Sequence, residues 1–339
     1  MKLQQLRFLD AVVRNNLNVS SAAEELYTSQ PGVSHQIKLL EEELDIKIFE
    51  RSGKKLTGIS PAGYAVLEHV NALLNNVKNI KQAAREYSNA NRGSLSIATT
   101  HTQAQFILPP ILQKFSNKFP RIDLQVHQGN PKAMCQLAAN NSVDFVIASE
   151  TIDEFDELIT IPAYRWNRYI VVPKGHSLTR KKKISLVDLA SFPILTYTLG
   201  LTGRSKLDRT FHHANLEPNV VFTATDSDVI KTYVRLGFGV GIIAEMAKGS
   251  EHDDELACID AHHLFPDSVI KIGFRHSRHI SAYQYEFLGM MTPYLDIDTI
   301  KQLAVTKALN DRNQVLEKFQ TPRYRDIEDK PASSATDCD

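Results

Sequence analysis

The feature that most constrains the fold is a single change of hydrophobic period near Gly93. Before it, apolar residues recur every three or four positions, as on the buried stripe of a helix; after it, short alternating or wholly apolar runs are separated by helical stretches. A chain that switches period once divides into a helical head and an α/β body. In the head, Leu3, Leu6, Phe8, Leu9, Val12 and Val13 make a broad stripe that Asn15-Asn16 interrupts. Residues 19–26 read as a second short helix with Asn18 or Ser20 as its cap. Thr28-Ser29-Gln30-Pro31 starts a third, because the hydroxyls accept orphan N–H groups and Pro31 falls in the first turn, where its missing donor costs least. That helix turns Val33, Ile37 and Leu40 inward and Ser34, His35 and Lys38 outward. Residues 46–58, with Arg51, Lys54 and Lys55 around Gly53, read as a small hairpin.

Ser60-Pro61-Ala62-Gly63 opens a long helix to about residue 87, on which Leu67, Val70, Leu74 and Val77 form a narrow seam suited to pairing with another helix. A polar stretch, 88–93, then leads into β-α-β-α-β order, the grammar of an open parallel sheet. Strands are expected at 94–99, 121–128, 143–149, 168–172, 193–196, 220–223, 240–244 and 268–274, and helices at 103–117, 131–140, 203–214, 226–236 and from about 282. The fold class is therefore α/β with an α-rich N-terminal head and a two-lobed body. Its expected division is 1–59 for the head, 60–90 for a dimerising helix, 93–162 with 268–300 for lobe I, 163–267 for lobe II, and 301–339 for a charged helical extension. The last ten residues are polar enough to be disordered.

Composition narrows the function. The 39 Lys+Arg balance 39 Asp+Glu, which excludes a globally polybasic chain but leaves room for a local basic patch. Three cysteines, Cys135, Cys258 and Cys338, lie far apart with no C-x-x-C, so neither a zinc knuckle nor a disulfide framework is indicated. No window approaches the ~18 apolar residues of a membrane span, and the opening residues carry no secretory pattern. The expectation is a soluble, cytoplasmic protein without metal or cofactor.

A short helix, a tight turn and a helix with polar outward residues is the helix-turn-helix layout, in which the first turn of the second helix meets base edges in the major groove. Gln30 suits a bidentate contact to adenine, Ser34, His35 and Lys38 reach base or phosphate, and Arg51, Lys54 and Lys55 act as a wing on the flanking backbone. Residues 1–60 hold eight basic and eight acidic side chains, so the footprint must come from placement rather than net charge. The competing reading of the head is a helical cap or dimerisation module.

Ala22-Ala23-Glu24-Glu25-Leu26, Ser29-Gln30-Pro31-Gly32-Val33-Ser34, Gln36-Ile37, Leu40-Glu41, Leu44, Phe49-Glu50-Arg51, Thr57 and Ser60-Pro61-Ala62-Gly63 together resemble the signature of the LysR-type transcriptional regulators. The matches run in order over about sixty residues. The resemblance implies a winged helix-turn-helix with Ser29, Gln30 and Pro31 at the DNA, a dimerising linker helix, a periplasmic-binding-protein-like effector domain, a homodimer or homotetramer, and promoter DNA and RNA polymerase as partners.

In the body, Thr99-Thr100-His101-Thr102-Gln103 lies where the first strand ends and its helix begins, the end at which open α/β sheets bind ligands. Helix-start N–H groups and hydroxyls there suit a small anion, although such a cluster also serves as a plain helix cap. Thr198–Gly203 supplies a second hydroxyl- and glycine-rich turn in the other lobe, Ser149 ends another first-lobe strand, and Trp166, the one tryptophan, sits at the crossover, where packing suits it. A narrower resemblance, carried by 94–103, 197–198, 201–205 and 222–237, is to the sulfur-responsive members of the family. It implies control of sulfate uptake and cysteine biosynthesis, or of another sulfur-source regulon, with an acetylserine-type inducer and sulfate or thiosulfate as effectors. The anion contacts would fall on Thr100, Thr102, Gln103, Thr202 and position 149, with Trp166 nearby. Position 149 is Ser where those relatives carry Thr, and His35 stands where they more often carry Lys or Arg; the first departure bears on inducer choice, the second on half-site preference.

Two other classes fit less well. An enzyme is disfavoured because neither H-E-x-x-H nor G-x-S-x-G occurs and the pairs His212-His213 and His262-His263 are adjacent residues that point apart. A periplasmic-type solute receptor, or a cytosolic small-anion binding protein, would account for the body but not the head.

Overall fold

The structure, a computed structural model, describes residues 1–53, 55–89, 93–201, 203–249, 254–276, 278–306 and 308–328. Lys54, Thr202 and the tail from 329, with its expected disorder and Cys338, lie outside the described residues. The chain forms two compact units, Met1–Ser88 and Asn89–Asp339.

The first unit contains α1 (Leu3–Arg14), α2 (Val19–Glu25), α3 (Gln30–Leu44), the antiparallel pair β1 (Phe49–Ser52) and β2 (Lys55–Ile59), and α4 (Pro61–Asn89). Asn18 caps α2, its side chain accepting from the Ser20 and Ser21 amides. Leu6, Leu9, Val12, Val33, Ile37 and Leu40 meet in one buried cluster that Ile48, Phe49 and Leu56 of the hairpin close from the other side. Leu67 and Val70 of α4 belong to this same cluster, at 6% and 4% exposure, and Leu74 packs against it. This corrects the expected dimer seam: its first half serves the head's own core. Leu73 and Ile80 stand exposed at 38% and 68%, and with Val77 and Ala84 they repeat at four, three and four on a different stripe of α4.

The second unit begins with lobe I: β3 (Gly93–Thr99), α5 (His101–Phe106), α6 (Leu108–Lys118), β4 (Ile122–Gln128), α7 (Pro131–Ala139), β5 (Phe145–Ala148) and β6 (Leu158–Trp166). Lobe II follows with β7 (Arg168–Pro173), α8 (Leu186–Ala190), β8 (Ile194–Tyr197), α9 (Arg204–His213), β9 (Val220–Ala224), α10 (Ser227–Arg235), β10 (Val240–Ala244) and β11 (Leu256–Asp260). The chain returns to lobe I through β12 (Ser268–Arg275) and ends with α11 (Ala282–Met291), α12 (Ile297–Val305), α13 (Leu309–Leu316) and α14 (Tyr324–Glu328). Each lobe is built on a five-stranded sheet, ordered β4-β3-β5-β12-β6 and β11-β7-β10-β8-β9.

Three expectations are revised. The sheets are mixed rather than parallel, since β12 runs antiparallel to both β5 and β6, and β7 antiparallel to β10 and β11. The boundary expected at 162/163 falls inside β6, which pairs with β12 up to Trp166, so the lobes part at Asn167. The helix expected over 103–117 is broken at Ile107, because Pro109 and Pro110 have no N–H to bond back to Gln105 and Phe106. The two lobes are joined at Asn167 and at 261–267, and one buried cluster runs through both, from Ile97 and Phe145 by way of Tyr164, Trp166 and Tyr197 to Ile230 and Ile243.

Leu67→Ala should destabilise the head by about 2–5 kcal/mol, as large-to-small changes at buried positions do, whereas Ile80→Ala should leave head stability unchanged. Differential scanning calorimetry of the two variants distinguishes the stripes; equal effects would contradict this division of α4.

Candidate functional site

In the head, Ser29 is the N-cap of α3 and its hydroxyl accepts from the Gly32 amide at 3.3 Å. Pro31 sits in the first turn, where its ring demands nothing of the hydrogen-bond ladder. Gln30 is exposed and its side-chain amide donates to Ser34 Oγ at 3.1 Å, which ties the two groups into one polar edge. His35 and Lys38 project into solvent one and two turns on; Lys38 Nζ stands 3.4 Å from Glu42, an exposed pair of little energetic weight. Arg51 is placed differently from the simple wing expected. Its guanidinium donates to Glu41 Oε2 at 3.0 Å, while Glu41 Oε1 accepts from the Ile48 and Phe49 amides. Arg51 therefore locks the hairpin to α3. Tyr27 was missed in the sequence: it is 98% exposed, has φ 50°, and stands two residues before the α3 cap. An aromatic residue in a turn between two short helices was the available signal.

In the body, the first lobe-I strand delivers Thr100, the N-cap of α5. Its side chain makes no capping hydrogen bond, so the plain-cap reading of this hydroxyl does not apply. Thr102 and Gln103, in the first turn of α5, are 1% and 2% exposed, and Ser149, just beyond β5, is 8% exposed. The Tyr164 hydroxyl from β6 donates to Gln103 Oε1. From lobe II, Tyr197 at the end of β8 accepts the Ala244 amide at 3.1 Å. Burial pushes the Tyr197 phenol up to about 12, against the pull of the Ala244 amide and of the nearby Thr102 and Ser227 hydroxyls. Thr102 from lobe I, and Tyr197 and Ser227 from lobe II, thus face one another across the cleft. At the crossover, Arg168 donates to the Gly203 carbonyl at 2.7 Å and lies 5.2 Å from the Trp166 ring centre. Gly203 has φ 69°, and a Cβ there would run into that guanidinium, so only glycine fits.

Among the described residues, Thr102 Oγ1, Ser227 Oγ, Trp166 Nε1 and Ser268 Oγ are buried and make no hydrogen bond of ordinary geometry, the first two lying beside the Tyr197 hydroxyl. Ser268 is the register partner of Trp166, and Thr102 and Ser227 both flank Tyr197. A buried polar group without a partner costs about 1–3 kcal/mol, and several gathered in one cleft mark a place built for a polar ligand. Hydroxyls, a neutral phenol, an indole N–H and a guanidinium are groups able to donate hydrogen bonds to an anion. Against expectation, the N-terminus of α5 adds little, because a six-residue helix has a small dipole. Among the expected residues, Thr100, Thr102, Gln103, Ser149 and Trp166 are all buried here; Thr202 lies outside the described residues. Tyr164, Arg168, Ser227 and Ser268 join them without having been anticipated. Ser227 could have been found as the residue after the Asp226 cap; Ser268 only through its strand register with Trp166. At the cleft edge Gln105 of lobe I donates to Asp228 of lobe II at 2.5 Å.

His212 and His213 do present their rings at 88° to one another, and no cluster of three metal-ligating side chains occurs among the described residues. No helix among them is long and apolar enough to cross a membrane.

Comparison with known proteins gives these two sites a context. Residues 3–64 match the bacterial regulatory helix-turn-helix protein, lysR family, and residues 88–296 the LysR substrate binding domain. The HTH-type transcriptional regulator CysB of Haemophilus influenzae is 44% identical over 320 residues, covering 94% of this chain and 98% of that protein. The regulator SsuR of Burkholderia cenocepacia is 42% identical over 296 residues, covering 87% and 96%. Among solved structures, the cofactor-binding domain of the Cbl transcriptional regulator superposes with a TM-score of 0.61 at 36% identity, covering 63% of this chain and 94% of that one.

The Tyr197 phenol carries a linked prediction. Its ordinary pKa is 10 and its folded value about 12, so the neutral form is favoured by folding. The resulting stability is complete below pH 10 and is lost between pH 10 and about 12, an amount of about 2–3 kcal/mol. Tyr197→Phe should flatten that part of the stability–pH curve in chemical denaturation; an unchanged curve would contradict the burial argument.

Proposed function

Because the chain belongs to the LysR family of transcriptional regulators, we propose that its interlobe cleft binds a small sulfur-metabolism anion and that this event sets the DNA-bound state of the head. The protein is a regulator and not an enzyme; it binds promoter DNA and a small-molecule effector, and its relatives point to sulfur-related control. The proposal goes further: the chain activates sulfate-assimilation and cysteine-biosynthesis genes in the cytoplasm, acts with RNA polymerase as a homodimer or homotetramer, and takes an acetylserine-type inducer, with sulfate or thiosulfate able to occupy the same cleft. The single observation that supports it is the set of orphaned buried donors, Thr102, Ser227, Trp166 and Ser268, drawn from both lobes and the crossover between them.

A ligand held by groups from both lobes favours one interlobe arrangement, and differential binding to two arrangements is sufficient for allosteric control. Thr100, Thr102, Gln103, Ser149, Trp166 and Thr202 form the effector set, to which Ser227 and Ser268 are added. At the DNA, Ser29, Gln30, Pro31, Ser34, His35 and Lys38 form the reading edge, with Lys54 on the backbone and Arg51 holding the hairpin in place. The exposed stripe Leu73-Val77-Ile80-Ala84 is the pairing surface of α4. Nearly equal identity to CysB and to SsuR supports a second reading, in which the same cleft serves a different sulfur-source regulon.

Calorimetry with sulfate, thiosulfate and the acetylserines tests the cleft. Each charge-assisted hydrogen bond is worth about 1.5–3 kcal/mol, so Thr102→Val and Ser227→Ala should each weaken the bound anion measurably while DNA binding without effector persists. Unaltered affinity in both variants would place the site elsewhere. In gel shifts, Gln30→Ala should cost about 1–3 kcal/mol of operator discrimination, and Lys54→Ala should instead lower affinity for all sequences and reduce the salt slope.

A further inference from the structure

The match to the substrate binding domain ends at residue 296, yet the chain continues in order through α12, α13 and α14. Ile300 and Leu303 of α12 are fully buried, and Val315, Leu316, Phe319, Tyr324 and Ile327 pack on the cluster that runs through both lobes. After α13 the chain turns back across the crossover. β6 is the edge strand of its sheet, and residues 321–323 cover that edge: the Pro322 carbonyl accepts the Arg165 amide at 2.8 Å, and the Thr321 carbonyl accepts Arg165 Nε at 3.0 Å. The next side chains reach in three directions. Arg323 donates to Asp267, on the return crossover, at 3.3 Å. The Tyr324 ring lies 5.9 Å from that of Tyr164 in lobe I. Arg325 stands 3.6 Å from Glu245 and 3.9 Å from Asp260, both in lobe II.

Two of these contacts are one residue removed from the effector cleft. Tyr164, backed by Tyr324, donates to Gln103. Glu245, faced by Arg325, accepts the Asn167 amide at 2.9 Å, and its chain neighbour Ala244 donates to Tyr197. The extension therefore braces one cleft wall in each lobe and both crossovers between them. We propose that Tyr324 and Arg325 are positioning residues for effector binding: they hold Gln103, through Tyr164, and the Asn167 crossover, through Glu245, in the geometry that receives the anion. The inference rests on the cleft reading given above.

The cost of losing this brace falls on the bound state, because a ligand gripped from both lobes must then itself fix their mutual angle. Trp166, next to Asn167 and the one tryptophan of the chain, provides a readout that requires no ligand. The test uses the full chain, Tyr324→Ala, Arg325→Gln, Arg325→Lys, a chain ended after residue 320 and one ended after residue 328. The probes are sulfate and O-acetylserine in calorimetry, and acrylamide quenching of Trp166 fluorescence.

The chain ended at 320 should bind the probe that the full chain binds at least about fivefold more weakly, the lower end of ordinary coupling between sites, and its Trp166 should be quenched more readily. Tyr324→Ala and Arg325→Gln should move both readouts the same way with the melting temperature and operator binding held. Arg325→Lys should recover most of the affinity, and ending the chain at 328 should change nothing, since every contact named here is kept. Full-chain affinity and quenching in Tyr324→Ala and Arg325→Gln would overturn the inference while leaving the cleft reading intact. If the full chain binds neither probe, the cleft reading fails, and unchanged Trp166 quenching in the same variants would then remove the brace as well.

Discussion

The body depends on one asparagine. Asn167 is the whole connection between β6 and β7, and its side chain also reaches the second connection: Nδ2 donates to the Phe265 carbonyl at 2.8 Å and to Asp267 at 2.9 Å. Its Oδ1 accepts the Arg168 amide, and its own amide donates to the buried Glu245. Two lobes joined by two strands of chain hinge about those strands, while the shared buried cluster restrains them farther away. Pinning the connections to each other reduces that freedom and fixes where Trp166 and Arg168, the residues on either side, enter the cleft. No other amino acid offers two donors and an acceptor at this length, so the junction is specified by chemistry rather than by packing alone.

The cleft and the junction follow from opposite treatments of buried polarity. Around Asn167 each named donor meets an acceptor, and the result is rigid. In the cleft, the hydroxyls of Thr102, Ser227 and Ser268 and the indole N–H of Trp166 are desolvated without a hydrogen bond of ordinary geometry among the described residues. At about 1–3 kcal/mol each, they are tolerable only because the surrounding sheets are closely packed, with Ile97, Phe145, Ile243 and their neighbours fully buried. The stability stored in two lobe cores is what permits a polar site left open for a guest, the usual reason that binding sites run against the rules governing the rest of a fold.

How much of this was legible depends on the distance over which each feature is encoded. The α3 start was readable because Ser29 and Pro31 act within one turn, and β10 appeared at its true bounds because five consecutive apolar residues between a glycine turn and a charge need no outside information. β6 was not legible: its pairing with β12 joins residues about a hundred positions apart, and its alternation is blurred because both faces carry buried side chains. The break at Ile107 was missed because the apolar period continues through it, although Pro109-Pro110 announced it. The Thr100–Gln103 cluster and Ser149 were legible as hydroxyls at strand ends. Ser227 offered only its place after the Asp226 cap, and Ser268 offered nothing, because an isolated serine acquires meaning only from the tertiary neighbours that bury it.

The linker helix shows why periodicity alone misassigns a partner. A stripe at 67, 70, 74 and 77 and another at 73, 77, 80 and 84 share Val77 and differ by less than a quarter turn, so one helix can serve two surfaces in succession. The first turns are adjacent in sequence to the hairpin, and burying Leu67 and Val70 there closes the head core at little cost in chain entropy. Once that face is taken, later residues must supply any contact with a second copy, and Leu73, Ile80 and Ala84 are among the described apolar residues that stand exposed. Because Leu67 and Val70 belong to the head core, the first turns of α4 and the helix α3 are parts of one packed body. With eight positive and eight negative side chains in the first sixty residues, the head has no excess charge to compensate for a poorly placed reading edge, so binding by this head depends on where its polar side chains are held.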